Sequence, residues 1–264
     1  MNKISRRKFF TLAGTAAAAF GLSGRFVAEV FAGSENTDTK RWGMLIDLRE
    51  FDKNPALLEK AITACHSIHN VPSISDKKHE IKWIWAEPFH HAFIEQENEH
   101  LPKGMEEKKV LLLCNHCDNP PCVNVCPTQA TWRRPDGIVM MDWHRCIGCR
   151  YCMAACPYGS RSFNFSEPRE QLAQINTEFP TRTKGVVEKC TFCDEILAKQ
   201  HAAGLKPTPA CVKAMEDNFS KAMVFGNLND RNSEIVQILN SVYSIRRKPE
   251  LGSQPEVYYI VGGV

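Results

Sequence analysis

Residues 146–157 read Cys-Ile-Gly-Cys-Arg-Tyr-Cys-Met-Ala-Ala-Cys-Pro, which places four cysteines at short fixed spacings before a proline. This is the C-x2-C-x2-C-x3-C-P pattern of bacterial iron–sulfur loops, in which three thiolates bind one four-iron cluster and the fourth binds its neighbour. Residues 114–127 repeat the pattern with two extra residues between the second and third cysteines. Two such runs predict a pair of clusters that exchange their fourth ligands.

The exchange assigns the cysteines of these two runs to two sets of four. We expect three cysteines to cap one cluster, while the fourth, predicted to stand where a helix begins, points away from it. Set B contains Cys114, Cys117, Cys122 and Cys156, and set C contains Cys126, Cys146, Cys149 and Cys152. Pro127 and Pro157 restrict the backbone after each fourth cysteine, and Gly148 should bring the backbone close to its cluster.

The other four of the 12 cysteines belong to two defective copies of the same pattern. Cys190, Cys193 and Cys211 occupy the first three positions of one copy, with a long insertion before the third. Met215 stands where its fourth cysteine is expected, and Cys65 is a fourth cysteine without its first three. The same exchange groups the survivors as set A, which contains Cys65, Cys190, Cys193 and Cys211.

The two defects are complementary, because together they remove every ligand of one cluster and spare every ligand of the other. The sequence therefore predicts an ancestral four-cluster protein that has lost one cluster and keeps three [4Fe-4S] clusters, or roughly 12 iron atoms. We expect Met215 and the helix around Leu58 to fill the vacated place with packed side chains.

Zinc and disulfides are the alternative uses of these cysteines. Zinc ribbons pair C-x2-C elements, but they do not call for a third cysteine two residues later or for a proline after the fourth. An even number of cysteines in an exported chain is also compatible with disulfides. The amino-terminal segment argues against the second alternative.

Residues 5–10 read Ser-Arg-Arg-Lys-Phe-Phe and precede a weakly apolar stretch rich in alanine and glycine. The Arg6–Arg7 pair predicts a twin-arginine (Tat) signal, which exports proteins already folded around their cofactors. We expect residues 1–32 to be the signal, with processing after Ala32, and a periplasmic location for residues 33–264. Arg25 and Glu29 interrupt the apolar stretch, which falls short of the roughly 20 residues that a membrane span needs.

The signal also accounts for the positive charge of the chain. Of its 33 basic and 30 acidic residues, residues 1–32 carry five basic residues and one acidic residue. The remainder is close to neutral, so nothing indicates nucleic acid as a partner, because such binding needs a basic face.

The pattern of apolar residues predicts an α+β fold, with a duplicated bacterial-ferredoxin-like domain and insertions. Strands are expected at residues 43–48, 81–85 and 137–142, and a helix at residues 54–68, whose apolar positions recur at helical spacing. The cluster core should occupy about residues 43–226, and residues 227–264 should add a short helix and strand outside it.

The chain resembles the periplasmic iron–sulfur subunits of the complex iron–sulfur molybdoenzyme type. These are the electron-transfer subunits of dimethyl sulfoxide, polysulfide and tetrathionate reductases and their NrfC-like relatives. The most specific stretches are residues 114–122, 136–139, 145–159, 189–193 and 226–230. The missing cluster, the Tat signal and residues 82–89 are most similar to DsrO-type subunits of the Dsr membrane complexes of sulfur-metabolising prokaryotes.

This resemblance implies an electron-transfer subunit without a substrate site of its own. It would dock on an integral membrane NrfD-like, quinone-interacting subunit and on a multihaem cytochrome c, and would be peripheral to the membrane. Its clusters would lie in the order A, B, C, with C nearest the membrane partner. The alternatives are an electron-transfer subunit of a molybdopterin oxidoreductase and a freely diffusing ferredoxin-like carrier.

Overall fold

The computed structural model of the protein describes residues 39–262, which combine short strands with short helices. The strands are β1 (Trp42–Asp47), β2 (Ile84–Pro88), β3 (Lys109–Leu113), β4 (Thr131–Arg133), β5 (Val139–Met141), β6 (Ser162–Phe163), β7 (Val187–Glu188), β8 (Met223–Asn227) and β9 (Val257–Ile260). The α-helices are α1 (Leu48–Lys53), α2 (Ala56–Ile68), α3 (Phe89–Ala92), α4 (Pro121–Asn124), α5 (Tyr151–Ala155), α6 (Asp194–Ala202), α7 (Ala210–Glu216) and α8 (Glu234–Ser241). Short 3-10 helices occupy Ile94–Gln96, Pro168–Gln171 and Pro249–Leu251.

The largest sheet joins the beginning of the described chain to its end. Strand β1 lies in the centre, antiparallel to β8 on one side and parallel to β9 on the other. In this register Met44 is opposite Phe225 and also opposite Val257. Helix α8 covers this sheet, with Ile235 fully buried against Leu45 and Val224.

Three two-stranded antiparallel sheets complete the strand pairing of the described residues: β2 with β3, β4 with β5, and β6 with β7. The β2–β3 pair lies in the main hydrophobic core, where Val110 to Leu113 are buried. None of the helices in residues 39–262 combines the length and apolar composition that a membrane span requires.

Helices α2 and α7 pack together in the main hydrophobic core. The buried face of α2 carries Leu57, Ala61 and Cys65, and α7 contributes Val212 and Met215. Met215 is 0% exposed. Met215 is therefore packed in the core as expected, and Leu58 lies partly buried against the same core. That they fill the place of a lost cluster stays a prediction.

Most predicted elements are confirmed with small shifts of their ends. The helix predicted at residues 54–68 is α2, and the strands predicted at 43–48 and 137–142 are β1 and β5. The strand predicted at residues 81–85 instead begins at Ile84 and continues to Pro88. The reason lies in its partners, because Ile84 pairs with the last residue of β3, while the N–H of Lys82 donates to the hydroxyl of Ser162 over 2.7 Å.

The carboxyl-terminal segment contacts a cysteine loop directly. The N–H of Asp118 donates to the carbonyl of Gln254 over 2.8 Å, and the N–H of Glu256 donates to the carbonyl of Asn115 over 2.9 Å. The phenol of Tyr158 lies 2.5 Å from the hydroxyl of Ser253. Residues 253–256 therefore brace the loop that carries Cys114, Cys117 and Cys122.

Residues 1–38 and 263–264 lie outside the described residues. The predicted Tat signal, with Arg6 and Arg7, therefore falls in a part of the chain to which the structural description does not extend.

Candidate metal centres

The three C-x-x-C loops share one backbone feature. The residue immediately before the second cysteine has a positive φ in each loop: 42° at His116, 71° at Gly148 and 56° at Phe192. A left-handed residue in a tight turn directs successive N–H groups to one side, and such nests hold anions, including iron–sulfur groups. The loop around Cys190 thus shares this left-handed residue with the two complete runs, although Cys193 itself is also left-handed, with φ 56°.

Gly148 meets a steric requirement that the other two loops do not impose. A Cβ at this position would collide with the carbonyl oxygen of Gly185. Its φ is also one that residues with a side chain rarely adopt. In the other loops, the rings of His116 and Phe192 stack on each other with centroids 3.7 Å apart, so these two left-handed residues also join the loops of sets A and B.

The third cysteine of each group lies on a short helix: Cys122 on α4, Cys152 on α5 and Cys211 on α7. The prediction that a helix begins at the fourth cysteine is wrong. Helix α5 ends at Ala155, and Cys156 is its C-cap with an extended backbone, φ −82° and ψ 109°. The following Pro157 explains this, because a residue before proline is displaced from helical to extended conformations.

Set B surrounds a single cavity. Cys114, Cys117, Cys122 and Cys156 all line it, together with Asn115, Val139, Tyr158 and Arg161. Burial raises the pKa of the Cys117 thiol, and the thiolates of Cys114, Cys156 and Cys122 act in the same direction. The structure thus brings the four predicted ligands of set B together around one space.

Set A is buried in the main core, and its members also lie close together. Burial raises the pKa of Cys65 well above its usual value, and the thiolates of Cys190, Cys193 and Cys211 raise it further. The N–H of Phe192 donates to Sγ of Cys190, and the N–H of Ala210 donates to Sγ of Cys193, each over 3.4 Å. Helix α2 therefore places Cys65, which is remote in sequence, close to the loop of Cys190 and Cys193 and to Cys211 on α7.

Set C is the most exposed of the three. Cys126, Cys146 and Cys152 pack in a small hydrophobic cluster with Ala130, Val139, Met141 and Val187, whereas Cys149 lies exposed at the surface. Burial opposes the charged form of Cys126, but hydrogen bonds from the backbone N–H groups of Thr131, Thr128 and Ala130 and from the hydroxyl of Thr128 lower its pKa. Three members of the set are thus brought together, whereas Cys149 is not part of this hydrophobic cluster.

Set B lies next to each of the other two sets. Burial raises the pKa of Cys190 to about 12, and the nearby thiolate of Cys114, a member of set B, adds to this effect. On the other side, Cys122 of set B packs in the same small hydrophobic cluster as Cys152 of set C. Set B therefore adjoins both of its neighbours.

The donor chemistry of these sites fits a [4Fe-4S] group. Each loop offers thiols, the soft donors that iron–sulfur groups and zinc prefer, and no cysteine of the described residues forms a disulfide. Buried polar atoms without a hydrogen-bond partner occur in the same loops: the amide nitrogen of Asn115, Nε2 of His116 and the hydroxyl of Thr191. Leaving such groups unpaired is costly, and cluster or thiolate sulfur would supply acceptors for them.

A single metal ion fits less well. Within residues 39–262, no three His, Cys, Asp or Glu side chains are placed to hold one ion together. In a cubane each thiolate binds its own iron atom, so the ligands surround a body rather than converge on a point. When bound, such a group supplies reversible one-electron chemistry, and the chain supplies the thiolates, the N–H donors and the exclusion of water.

Two buried cations beside these cysteines were missed by the sequence reasoning. Arg161 is 4% exposed and Lys189 is 0% exposed. The available signal was their position, since Arg161 follows the fourth cysteine of set B by five residues and Lys189 directly precedes Cys190. Nothing in the spacing alone distinguishes them from surface residues.

Thiol sets held by repeated loops of this kind define an iron–sulfur electron-transfer protein. In agreement, residues 110–228 match the 4Fe-4S dicluster domain family. The chain is 40% identical to the Hdr-like menaquinol oxidoreductase iron–sulfur subunit 1 of Archaeoglobus fulgidus, over 97% of both chains. It is 34% identical to the protein NrfC of Escherichia coli, over 97% of this chain and 95% of NrfC.

A third relative is the iron–sulfur cluster-binding subunit of menaquinone reductase from Nitratidesulfovibrio vulgaris, 32% identical over 83% of this chain and 88% of its own. The chain belongs to this family of iron–sulfur electron-transfer subunits, which includes subunits of menaquinol oxidoreductase and NrfC-like proteins. The predicted resemblance to the family is therefore confirmed.

Proposed function

We propose that the protein carries three [4Fe-4S] clusters and conducts electrons between a quinone-interacting membrane subunit and a second redox partner. The row of thiol sets, with set B adjoining both others, carries this proposal. Electron tunnelling weakens exponentially with distance, so clusters in a continuous row can pass an electron where isolated clusters cannot.

In this proposal sets A, B and C each bind one cluster. Set A is buried in the core beside helices α2 and α7. A row of four clusters can lose an end member and still conduct, so in this proposal the lost cluster stood at an end, beyond set A. The packing of Met215 against α2 supports this position. Set C, with Cys149 exposed, occupies the opposite end and is the contact point for a membrane partner.

The names of relatives support a membrane partner. Two relatives that match most of this chain are named as subunits of menaquinol oxidoreductase and menaquinone reductase, which supports menaquinone chemistry in the complex. The finer proposal is a DsrO-type subunit of a sulfur-metabolism complex, with an NrfD-like membrane subunit and a multihaem cytochrome c. Copurification with those two subunits distinguishes it from a freely diffusing carrier.

Iron analysis tests the number of clusters. Anaerobically purified full-length protein should contain roughly 12 iron atoms and roughly 12 sulfide ions per chain, because each four-cysteine set holds one four-iron cluster. About eight iron atoms per chain would mean that one of the three sets binds no cluster. Zinc in place of iron would contradict the proposal altogether.

Export is tested at the twin arginines. We propose a periplasmic location through the Tat route, on the basis of Arg6 and Arg7 and of cofactors that must be inserted before export. Changing both arginines to lysine should leave the loaded protein in the cytoplasm, measured by fractionation and immunoblotting. Normal accumulation of this variant in the periplasm would contradict the proposal.

A further inference from the structure

The two complete cysteine runs continue into segments with the same backbone but different charge. Residues 126–131 read Cys-Pro-Thr-Gln-Ala-Thr, and residues 156–161 read Cys-Pro-Tyr-Gly-Ser-Arg. The third residue after the cysteine is left-handed in both, with φ 53° at Gln129 and 65° at Gly159. The segments are thus structural equivalents, and their last residues, a threonine and an arginine, make them electrostatically unequal.

Arg161 places its charge against a ligand of set B. Its Nη2 lies 3.1 Å from Sγ of Cys122 and 2.8 Å from Oγ1 of Thr131, its equivalent in the other segment. Its Nη1 lies 3.7 Å from the sulfur of Met141. Arg161 forms no ion pair with a carboxylate of the described residues, and arginine does not lose its proton in proteins.

Lys189 places a second charge on the side of set B that faces set A. Its Nζ donates to the carbonyl of Cys190 over 2.7 Å and to the carbonyl of Val139, a residue that lines the set B cavity. Within residues 39–262 this ammonium group also has no carboxylate in ion-pair contact. Burial lowers the pKa of Lys189, and the thiolate of Cys114 opposes that effect.

Two buried cations without carboxylate partners need a compensating negative charge, because an unpaired buried charge is costly. The thiolates supply it: burial opposes the charge of Arg161, yet Cys122, Cys152 and Cys114 raise its pKa. A cubane with four thiolates is an anion in both of its oxidation states, and one-electron reduction makes it more negative. Nearby cations therefore stabilise the reduced state more than the oxidised one.

Set A has a carboxylate nearby. Nδ1 of His69 lies 3.7 Å from Sγ of Cys65, and Nε2 of the same ring lies 2.8 Å from the carboxylate of Glu195. A negative charge close to a cluster disfavours its reduced state. Lys189 lies near both sets, because it directly precedes Cys190, so the two sets differ in Arg161, which contacts a ligand of set B, and in Glu195 on the side of set A.

We propose that Arg161, assisted by Lys189, is a positioning residue that raises the reduction potential of the set B cluster above that of the set A cluster. An electron that arrives from the set A cluster is then held preferentially by the set B cluster. This inference assumes the proposed function, since it requires a cluster in each set. The step is a one-electron reduction of one cluster by another, and it transfers no proton.

Redox titration of the loaded full-length protein, followed by electron paramagnetic resonance, tests the inference. Cys122→Ser identifies the set B signal and Cys65→Ser the set A signal. Arg161→Gln should lower the midpoint potential of set B by at least the equivalent of a tenfold change in its reduction equilibrium, about 59 mV for one electron. Arg161→Lys, which keeps the charge, should hold set B above set A.

Arg145→Gln is the matched control. Arg145 adjoins Cys146, but its side chain is 65% exposed, so its charge is screened by water and its removal should change each equilibrium less than twofold. Lys189→Met is a second test for the case in which Arg161→Gln fails to retain its cluster, and it should lower the set B potential in the same direction.

The outcomes separate this inference from the proposed function. If three clusters are present and neither Arg161→Gln nor Lys189→Met lowers the set B potential, the inference is wrong and the function stands. A set B potential below that of set A in the unmodified protein would also contradict the inference and leave the proposed function intact. If Cys122→Ser alters no cluster signal, set B holds no cluster and both proposals fail.

Discussion

Replacing Cys65 with serine should remove one iron–sulfur cluster and spare the other two. Cys65 is carried by α2, far in sequence from Cys190, Cys193 and Cys211, yet their thiolates interact in the buried interior. Losing a ligand from a four-cysteine set should reduce iron from roughly 12 to roughly eight atoms per chain. The signals of sets B and C should keep their potentials and intensities.

Met215→Cys is the counterpart to this experiment. It restores a thiol at the position where the pattern expects a fourth cysteine, but it supplies only one of four ligands, so the iron content should not rise. Iron analysis and electron paramagnetic resonance of both variants measure the two effects. If Cys65→Ser retains all iron and all three signals, Cys65 is a buried structural thiol and set A is wrongly assembled.

Replacing Glu188 with glutamine should destabilise the fold by about 3–5 kcal/mol, the usual result of removing one partner of a buried ion pair. The side chains of Glu188 and Arg182 are both 0% exposed, with Nη2 of Arg182 2.5 Å from the carboxylate. The indole of Trp83 donates to the same oxygen over 2.6 Å. Glutamine preserves the shape of the side chain but leaves the guanidinium of Arg182 without a counter-charge.

The control is Glu178→Gln, because Glu178 pairs with Lys199 at 3.4 Å with both side chains largely exposed. Its effect should stay within about 0.5 kcal/mol. Urea midpoints of the loaded proteins under anaerobic conditions compare the variants. The double variant Arg182→Met/Glu188→Leu should lose less than Glu188→Gln, since no unpaired charge remains; equal losses would contradict the charge argument.

The sequence predicted those parts of the fold that short-range patterns determine. Apolar residues at helical spacing predicted α2, and the cysteine spacing predicted the grouping of sets A and B that the structure brings together. The start of β2 was misplaced because its limits depend on the partner strand β3, which is remote in sequence. The contact of residues 253–256 with the set B loop also joins segments that are remote in sequence, so short-range patterns did not predict it.

The electrostatic surroundings of the candidate centres were also beyond sequence reasoning. Arg161 and Lys189 carry no pattern that predicts burial, and both types of side chain are usually found at the surface. Their burial depends on the contact between the two equivalent segments and on the loop of Cys190. The spacing of the cysteines thus predicted the thiol donors, whereas the packing of the folded chain determines which charged side chains lie next to them.

The position of β1 has a consequence for the order in which the chain assembles. Strand β1 is the first described strand to be synthesised, but its two neighbours, β8 and β9, are the last. The cysteines of sets B and C all lie within residues 114–156, so their loops can close early, since short-range contacts form faster than long-range ones. The central strand and the Cys65 site must wait for the rest of the chain, and a polypeptide that stops before Met223 leaves β1 with neither neighbour.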